Sequence, residues 1–452
     1  MNTVRELLLC ALCLTPAAHA LEINVSRTDD RFDGVCDSDC SLREAVALAN
    51  ATPGSHRIRL AAGHYLLEQP AQGLEDEDVR HGDLDLFGQL TIVGAADYPE
   101  ITLEASRIDG GALDRLFDVH PGARLRLEKL RLENGLHPRQ GGAIRNRGRL
   151  QVEQVTFLLN RVEGATAHAR GGAVANQGAL LVRHSLFSEN AVRTAGSSWA
   201  LGGAIHNSGV LVLRDSAAAS NHAAHGRDGE GRNSAGADIY NLGLASLARC
   251  TLGGYTERGI GGALNNEHHG VVQMSNCTVR TGRTGASLDS SIIGNGTLGL
   301  YPDSTPFMRL VHVTVAWSQG GYALDNRGLM QVRNSLVFSG YNPETQRYQG
   351  CRSQGPGARF EARGLLLSEG IGNCLADLPP VANETIFTEV LDQVAFHGSI
   401  APSYEPLPGS PAVDAGVGGC ASQDQRGAAR PQDGDGDGIA RCDLGAHERS
   451  AR

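Results

Sequence analysis

Between residues 141 and 221 the chain returns three times to one pattern: GGAIRNRGRLQVEQVTFLLN (141–160), GGAVANQGALLVRHSLFSEN (171–190) and GGAIHNSGVLVLRDSAAASN (202–221). Within each copy apolar and polar residues alternate, as in Leu150-x-Val152, Val155-x-Phe157 and Leu211-x-Leu213. A period of two is the mark of a strand with one buried face, and no helical stripe accompanies it. The asparagines after the small-residue run are Asn146, Asn176, Asn207, Asn241, Asn266, Asn295 and Asn326, separated by 30, 31, 34, 25, 29 and 31 residues. A period near thirty marks a repeat architecture.

Short strands broken by Gly and Asn suit a chain that coils and pairs each turn in parallel with the last. The expected fold is all-β: a single-stranded right-handed parallel β-helix, pectin lyase-like, with a short N-terminal capping helix. Glycine supplies turns that a Cβ would obstruct, alanine at the third position fits a narrow interior, and asparagines on successive coils stack as a hydrogen-bonded ladder. Asn134, Asn160, Asn190 and Asn221 suggest a second ladder at another corner. At about 4.8 Å per coil, roughly eleven to thirteen coils make a rod on the order of 55 Å long. Leucine-rich repeats and propellers would need a dense leucine frame or aromatic blade signatures, and neither is present.

A stacked coil exposes strand edges at both ends unless they are covered. In CSLREAVALAN (40–50), Ser41 and Glu44 form an S-x-x-E capping box, and Leu42, Ala45, Val46 and Ala49 follow at helical spacing. This predicts a helix over 41–50 lying on the first coil. The organisation expected is a signal peptide at 1–20, an N-terminal cap at 21–55, coils at 56–400 that are most regular at 107–341, and a C-terminal cap at 401–452.

Composition adds the compartment. MNTVRELLLCALCLTPAAHA has an early arginine, an apolar stretch from Leu7 to Leu14 and a small-x-small ending, the pattern of a cleaved secretory signal. No later run reaches the roughly 18 apolar residues that span a membrane. Eight cysteines remain beyond this leader, in close pairs: Cys36 with Cys40, Cys250 with Cys277, Cys351 with Cys374, and Cys420 with Cys442. Four local disulfides in an oxidising compartment are expected, because no CxxC or histidine spacing supports zinc. The 58 glycines and 5% aromatic content imply a thin aliphatic core. A net charge of −10, with Lys129 the one lysine, argues against a nucleic-acid partner.

At the level of motifs, CSLREAVALAN (40–50) resembles the CSLREA segment of secreted bacterial β-helix proteins. GGAI and GGAV, with FLLN (157–160) and FSEN (187–190), resemble the repeats of chlamydial polymorphic outer membrane proteins. GSPAVDAG (409–416), DQRGAARP (424–431) and CDLGAHE (442–448) are similar to the choice-of-anchor Q region. The resemblance implies a secreted or surface β-helix, with adhesive roles in the outer membrane group. Because the chain ends four residues past Glu448 without a sorting signal or translocator barrel, release or loose surface association is expected.

Candidate chemistry is sparse. DGDGDG (433–438) sets Asp433, Asp435 and Asp437 at alternate positions, like the start of a calcium loop, with Asp443 or Glu448 as further ligands. Asp414, Arg426, Arg430, Asp443 and Glu448 suggest a buried Asp-Arg network that fastens the C-terminal cap. Asp83 and Asp85 in GDLDL share a strand face, where paired carboxylates could bind calcium or serve glycoside hydrolysis. Asp238 and Asp325, read as equivalent repeat positions, raise the same question. The expectation is a monomeric binding or adhesion module for polysaccharide or another cell-surface ligand. The alternative is a polysaccharide lyase or glycoside hydrolase acting on a uronate-containing polymer, with insertions 222–235 and 342–375 walling its groove.

Overall fold

The computed structural model describes residues 20–73, 77–95, 106–164, 168–226, 233–256, 259–280, 290–298, 301, 303–316, 320–343 and 345–450. The expected signal peptide at 1–20, with Cys10 and Cys13, lies outside them apart from Ala20. Successive repeats pair in parallel and in register, so that Ile144, Val174 and Ile205 stand opposite one another, as do Asn146, Asn176 and Asn207. Ten strands, from Leu84–Leu86 to Cys351–Ser353, form a short sheet. A longer sheet carries strands such as Arg149–Leu158 and Leu244–Thr256, and three two-residue strands form a third. The result is a parallel β-solenoid of about ten turns, fewer than the spacing suggested. The difference arises because the chain after Leu367 no longer coils.

Inward residues of both sheets make one core from Ile23 to Leu365, including Phe157 stacked on Phe187 with centroids 4.5 Å apart. The seven ladder asparagines are fully buried, and each donates its side-chain N–H to the side-chain oxygen of the next at 2.6 to 2.9 Å. Asn326 ends the series by donating to Ser353 Oγ at 3.0 Å. In the second series Asn160, Asn190 and Asn221 are linked in the same way, but Asn134 is not part of it. Register places Gly135 opposite Asn160, and Asn134 stands one position early and bonds Asp109 instead.

Glycine shapes both corners that flank the short sheet: at the one after it, a Cβ on Gly178 would lie 2.0 Å from the carbonyl oxygen of Gly148 on the previous coil. At the one before it, Gly171 has φ +66°, and a Cβ on Gly172 would lie 2.0 Å from the carbonyl oxygen of Gly203 on the next coil. The corner in the middle of the long strands instead passes through non-glycine residues with φ near +50°, among them His184, Asp215, Asn276, His312 and Asn334. Asn, Asp and His tolerate this left-handed conformation better than other residues with a Cβ.

At the N-terminus a helix, Leu42–Ala51, forms with both halves of the capping box in place. Arg43, buried without residual exposure, makes two bonds to Asp30 at 2.7 and 2.8 Å and donates to the carbonyls of Val79 and Gly82. The helix is thereby tied to both the leading segment and the start of the next coil. At the other end Asp377 accepts the amides of Gly364 and Leu365 at 2.7 and 2.9 Å, beside the last long strand.

The segment expected as a C-terminal cap, 401–452, makes contacts along the flank of the long sheet through its described residues. Gln425 donates to Thr251 Oγ1 at 2.9 Å and accepts from Thr278 Oγ1 at 2.7 Å. Ala446 donates to Thr314 Oγ1, Gly445 to the Asn334 carbonyl, and Val417 to Asn334 Oδ1. A second core forms beneath, where Ala316, Leu336 and Leu366 meet Ile386, Leu391, Tyr404, Ala412 and Leu444. Four cysteine pairs stand at disulfide distance, with Cα separations from 4.4 to 6.0 Å.

Candidate functional site: charged columns and an open sheet face

Asp85 lies between the inward residues Leu84 and Leu86 and therefore faces out of the short sheet, opposite Asp118 and then Arg145 on the next two coils. All three are buried. Arg145 Nε donates to Asp118 Oδ2 at 2.8 Å and Arg147 Nη2 to the same oxygen at 2.9 Å. Arg147 also donates to His120 Nδ1 at 3.0 Å, so the ring proton sits on Nε2 and is given to Asp85 at 2.6 Å. Burial works against ionisation of Asp118, but the Arg145 hydrogen bond and the surrounding arginine charges outweigh it and hold its carboxyl below the usual range. Asp83 faces Arg115 at 2.8 Å, where burial pushes its carboxyl up against the arginine's pull.

Asp83 and Asp85 are thus each engaged by a cationic or histidine partner. Sequence reasoning missed Arg115, Asp118, His120, Arg145 and Arg147; aligning LDLF (84–87), FDVH (117–120) and IRNR (144–147) by their strand residues would have placed them together. Although Asp85, Asp118 and His120 approach one another closely enough to hold a cation, the arginines supply the counter-charge and the His120 nitrogens are both in use.

The outward column continues to Ala175, His206, Tyr240, Asn265, Gly294, Asp325 and Arg352. Asp325 takes two bonds from Arg352, at 3.0 and 2.7 Å, with the guanidinium 4.2 Å over the Tyr322 ring. Burial, with the nearby Arg170 charge, lowers the His206 ring to about 3. Asp238 does not occupy the position of Asp325. It stands three residues before its ladder asparagine, level with Ala204 and Ala263 at the glycine corner before the short sheet, whereas Asp325 immediately precedes its own. Asp238 accepts from Asn221 Nδ2 and from the amides of Gly253 and Gly254, and so terminates the second ladder. Burial raises it to about 7.

In the DGDGDG turn, Asp433 accepts the amides of Gly436 and Gly438, and Asp437 turns to Arg441 at 3.4 Å. The carboxylate that joins Asp433 and Asp435 is Asp414, not Asp437. Asp443 and Glu448 are used elsewhere. Arg430, fully buried, donates to Glu448 Oε2 at 2.6 Å and to the carbonyls of Asp443 and Gly445, while Asp443 accepts the amides of Asp414 and Arg449. Desolvation raises Asp443 to about 7. His268 and His269 pack edge to face on each other, and His269 meets Thr305 Oγ1 at 2.9 Å.

The outer side of the long sheet is different. Over the first five residues of each long strand, three outward columns run from coil to coil. Arg57, Arg59, Arg124, Arg126 and Arg149 cluster toward one end and Arg309, Arg333, Arg359 and Arg363 toward the other, with Arg183 and Arg214 between. Against these eleven arginines stand four glutamates, Glu22, Glu128, Glu153 and Glu361, so the face is positive on a chain of net charge −10. Glu128 takes Arg126 and Arg57, and Glu22 takes Arg59. Arg124, Arg149, Arg183, Arg214 and Arg309 have no ion pair among the described residues. The middle coils present Ala179, Leu181, Val210, Val212 and Leu244, of which Leu244 is 54% exposed. Two depressions lie on this face. One of about 270 Å³ is lined by Arg124, Arg126, Arg149 and Gln151; the other, about 460 Å³, by Arg309, Arg333, Glu361 and Arg363.

No family model, curated protein or solved structure matches this chain. Among the described residues no helix is long and apolar enough to cross a membrane, and this, with the four cysteine pairs, is compatible with an extracellular protein.

Proposed function

We propose that this protein is a secreted or surface-associated β-helix that binds glycans or surfaces without transforming them, using the open side of its long sheet. The observation that carries this reading is the contrast in how charge is held. Asp83, Asp85, Asp118 and Asp325, the carboxylates of the short sheet, have partners within the fold, whereas the long-sheet arginines stand largely unpaired on a continuous face. Unpaired guanidinium groups bearing five donors each are a surface built for contact.

The leader pattern and the likeness of CSLREA, GGA/FxxN and GSPAVDAG to secreted and surface proteins support the location. The insertions at 222–235 and 342–375 join the short sheet five and nine strands along from Asp85, so their described residues do not wall the Asp83–Asp85 region. Calcium, in this reading, is a structural ligand of Asp414, Asp433 and Asp435, remote from the binding face.

The test is incubation of the mature protein with a panel of uronate and neutral polysaccharides, following co-sedimentation together with new reducing or unsaturated ends. Retention without product is expected. Turnover of any member would replace this reading with the carbohydrate-active alternative, and neither retention nor turnover would remove both.

A further inference from the structure

We infer that the ligand is an anionic polysaccharide, carrying carboxylate or sulfate groups, that lies along the solenoid axis and is held at both ends of the long-sheet face. This rests on the reading of the chain as a binding module and adds the class of polymer, its direction and the way it is gripped.

The two depressions coincide with the two arginine clusters. Between them the outward positions are mostly small or aliphatic, suited to the C–H faces of pyranose rings, and Arg183 and Arg214 continue the positive edge. Guanidinium groups bind carboxylate and sulfate oxygens in bidentate fashion, which lysine cannot do, and the chain carries one lysine in all. Coils repeat at about 4.8 Å, comparable with the advance of one sugar in an extended chain, so a polymer along the axis offers its charges to the columns in step. From Arg124 to Arg359 is eight coil steps in the pairing register, about 38 Å at that spacing.

Nucleic acid is the rival polyanion. Its sequence-tolerant binding uses aromatic platforms on which bases stack, and among the described residues of these columns Phe307 is the single aromatic one. Glycan is therefore the occupant the face fits.

Two sites separated by a fixed span predict a length threshold. A chain long enough to reach both clusters gains the second contact at high effective concentration, and a shorter one does not. Binding of the full chain to polygalacturonate, to oligogalacturonates of three to twelve residues, to neutral dextran and to duplex and single-stranded DNA is measured by biolayer interferometry. Affinity should rise at least tenfold between about six and nine residues, from the five coil steps that separate Arg149 and Arg309 to the eight between Arg124 and Arg359, at about one residue per coil step. R124Q/R149Q and R309Q/R363Q should each abolish that rise and remove one of the two trimer sites, with thermal unfolding unchanged. Equal binding to dextran would overturn the anionic class and leave the binding-module reading in place. Tighter binding to DNA than to polygalacturonate at equal charge would overturn the class as well. A smooth rise without a threshold, unaffected by either double variant, would overturn the two-ended grip. Retention of no polysaccharide at all would remove the parent reading too.

Discussion

The long sheet contains two surfaces made from the same strands. In Leu244–Thr256 the residues from Leu244 to Ala248 alternate between outward and buried positions, whereas Cys250 to Gly254 are buried without interruption. The corner at Arg249 divides them. Before the corner the outer side carries arginines and open aliphatics. After it, Thr251, Thr278, Thr314 and Leu336 receive the C-terminal region. One side of the corner satisfies its polar groups within the fold, and the other leaves them available. That difference separates a surface spent on stability from one free for recognition.

The comparison breaks most sharply at Arg430. R430A strands Glu448 in a buried site, and removal of one partner from such a pair costs about 3–5 kcal/mol. Hydrogen exchange should then show loss of protection over 401–448 and over the second halves of the covered strands, with the open half of the sheet unchanged. Uniform loss across all coils would mean that the two halves are one cooperative unit.

Acid should produce a weaker form of the same release. Burial, reinforced by Arg426, His397, Arg430 and Arg449, depresses His447 to about 2, and burial with Arg430 depresses His312 to about 3. A depressed histidine contributes stability that is complete above its unfolded value near 6.5 and is lost as pH falls toward the folded value. Asp443, raised to about 7, and Glu448, also raised by burial, have the opposite sign and offset part of this below neutrality. With two strongly depressed histidines against them, protection of 401–448 should fall between pH 6.5 and 4. H447Q should flatten that dependence; an unchanged profile in the variant would assign the release to other groups.

Gln425 tests the seam directly. Q425A removes bonds to Thr251, Thr278, Ala401 and Pro402, but Thr251 Oγ1 still donates to the Pro402 carbonyl, so the loss should be about 1–3 kcal/mol in all. The thermal midpoint should drop less than in R430A. On the open half, R149Q should stay within about 0.5 kcal/mol of the parent, as exposed substitutions do; a larger loss would show that the arginine face is part of the stabilising structure. The smallest effect concerns calcium. Millimolar calcium, and not magnesium, should raise the midpoint of the parent and not of D433N/D435N, and the same rise in both would remove the calcium assignment.

How much of this was legible follows the same division. Coiling could be read from Asn146 through Asn326 because a ladder residue must recur at one register, and the helix could be read from Ser41 and Glu44 because capping is local. Asn134 misled because a corner shifts the count by one, and only pairing with Asn160 reveals it. Lys129, Gln154 and Arg249 gave no sign of a left-handed corner, since ordinary residues occupy it at the cost of local strain. The flank docking of Gln425 and Ala446 joins residues more than 130 positions apart, and no periodicity carries that information. The column Asp85, Asp118, Arg145 was hidden for a related reason: charge pairing between coils needs the register before it can be seen.

The asparagine series has a direction. From Asn146 to Asn326 each side chain gives its hydrogen to the coil that follows and takes one from the coil before. Interior members are interchangeable, but the final member needs an acceptor that is not another asparagine, a role filled by the Ser353 hydroxyl in one series and by the Asp238 carboxylate in the other. Such a molecule is like a sentence that can be lengthened by repeating its middle clauses yet has one full stop. Gene duplication of a whole coil within 146–326 would conserve every donor and acceptor, and with them the spacing rules of the face, while lengthening the reach between its two ends.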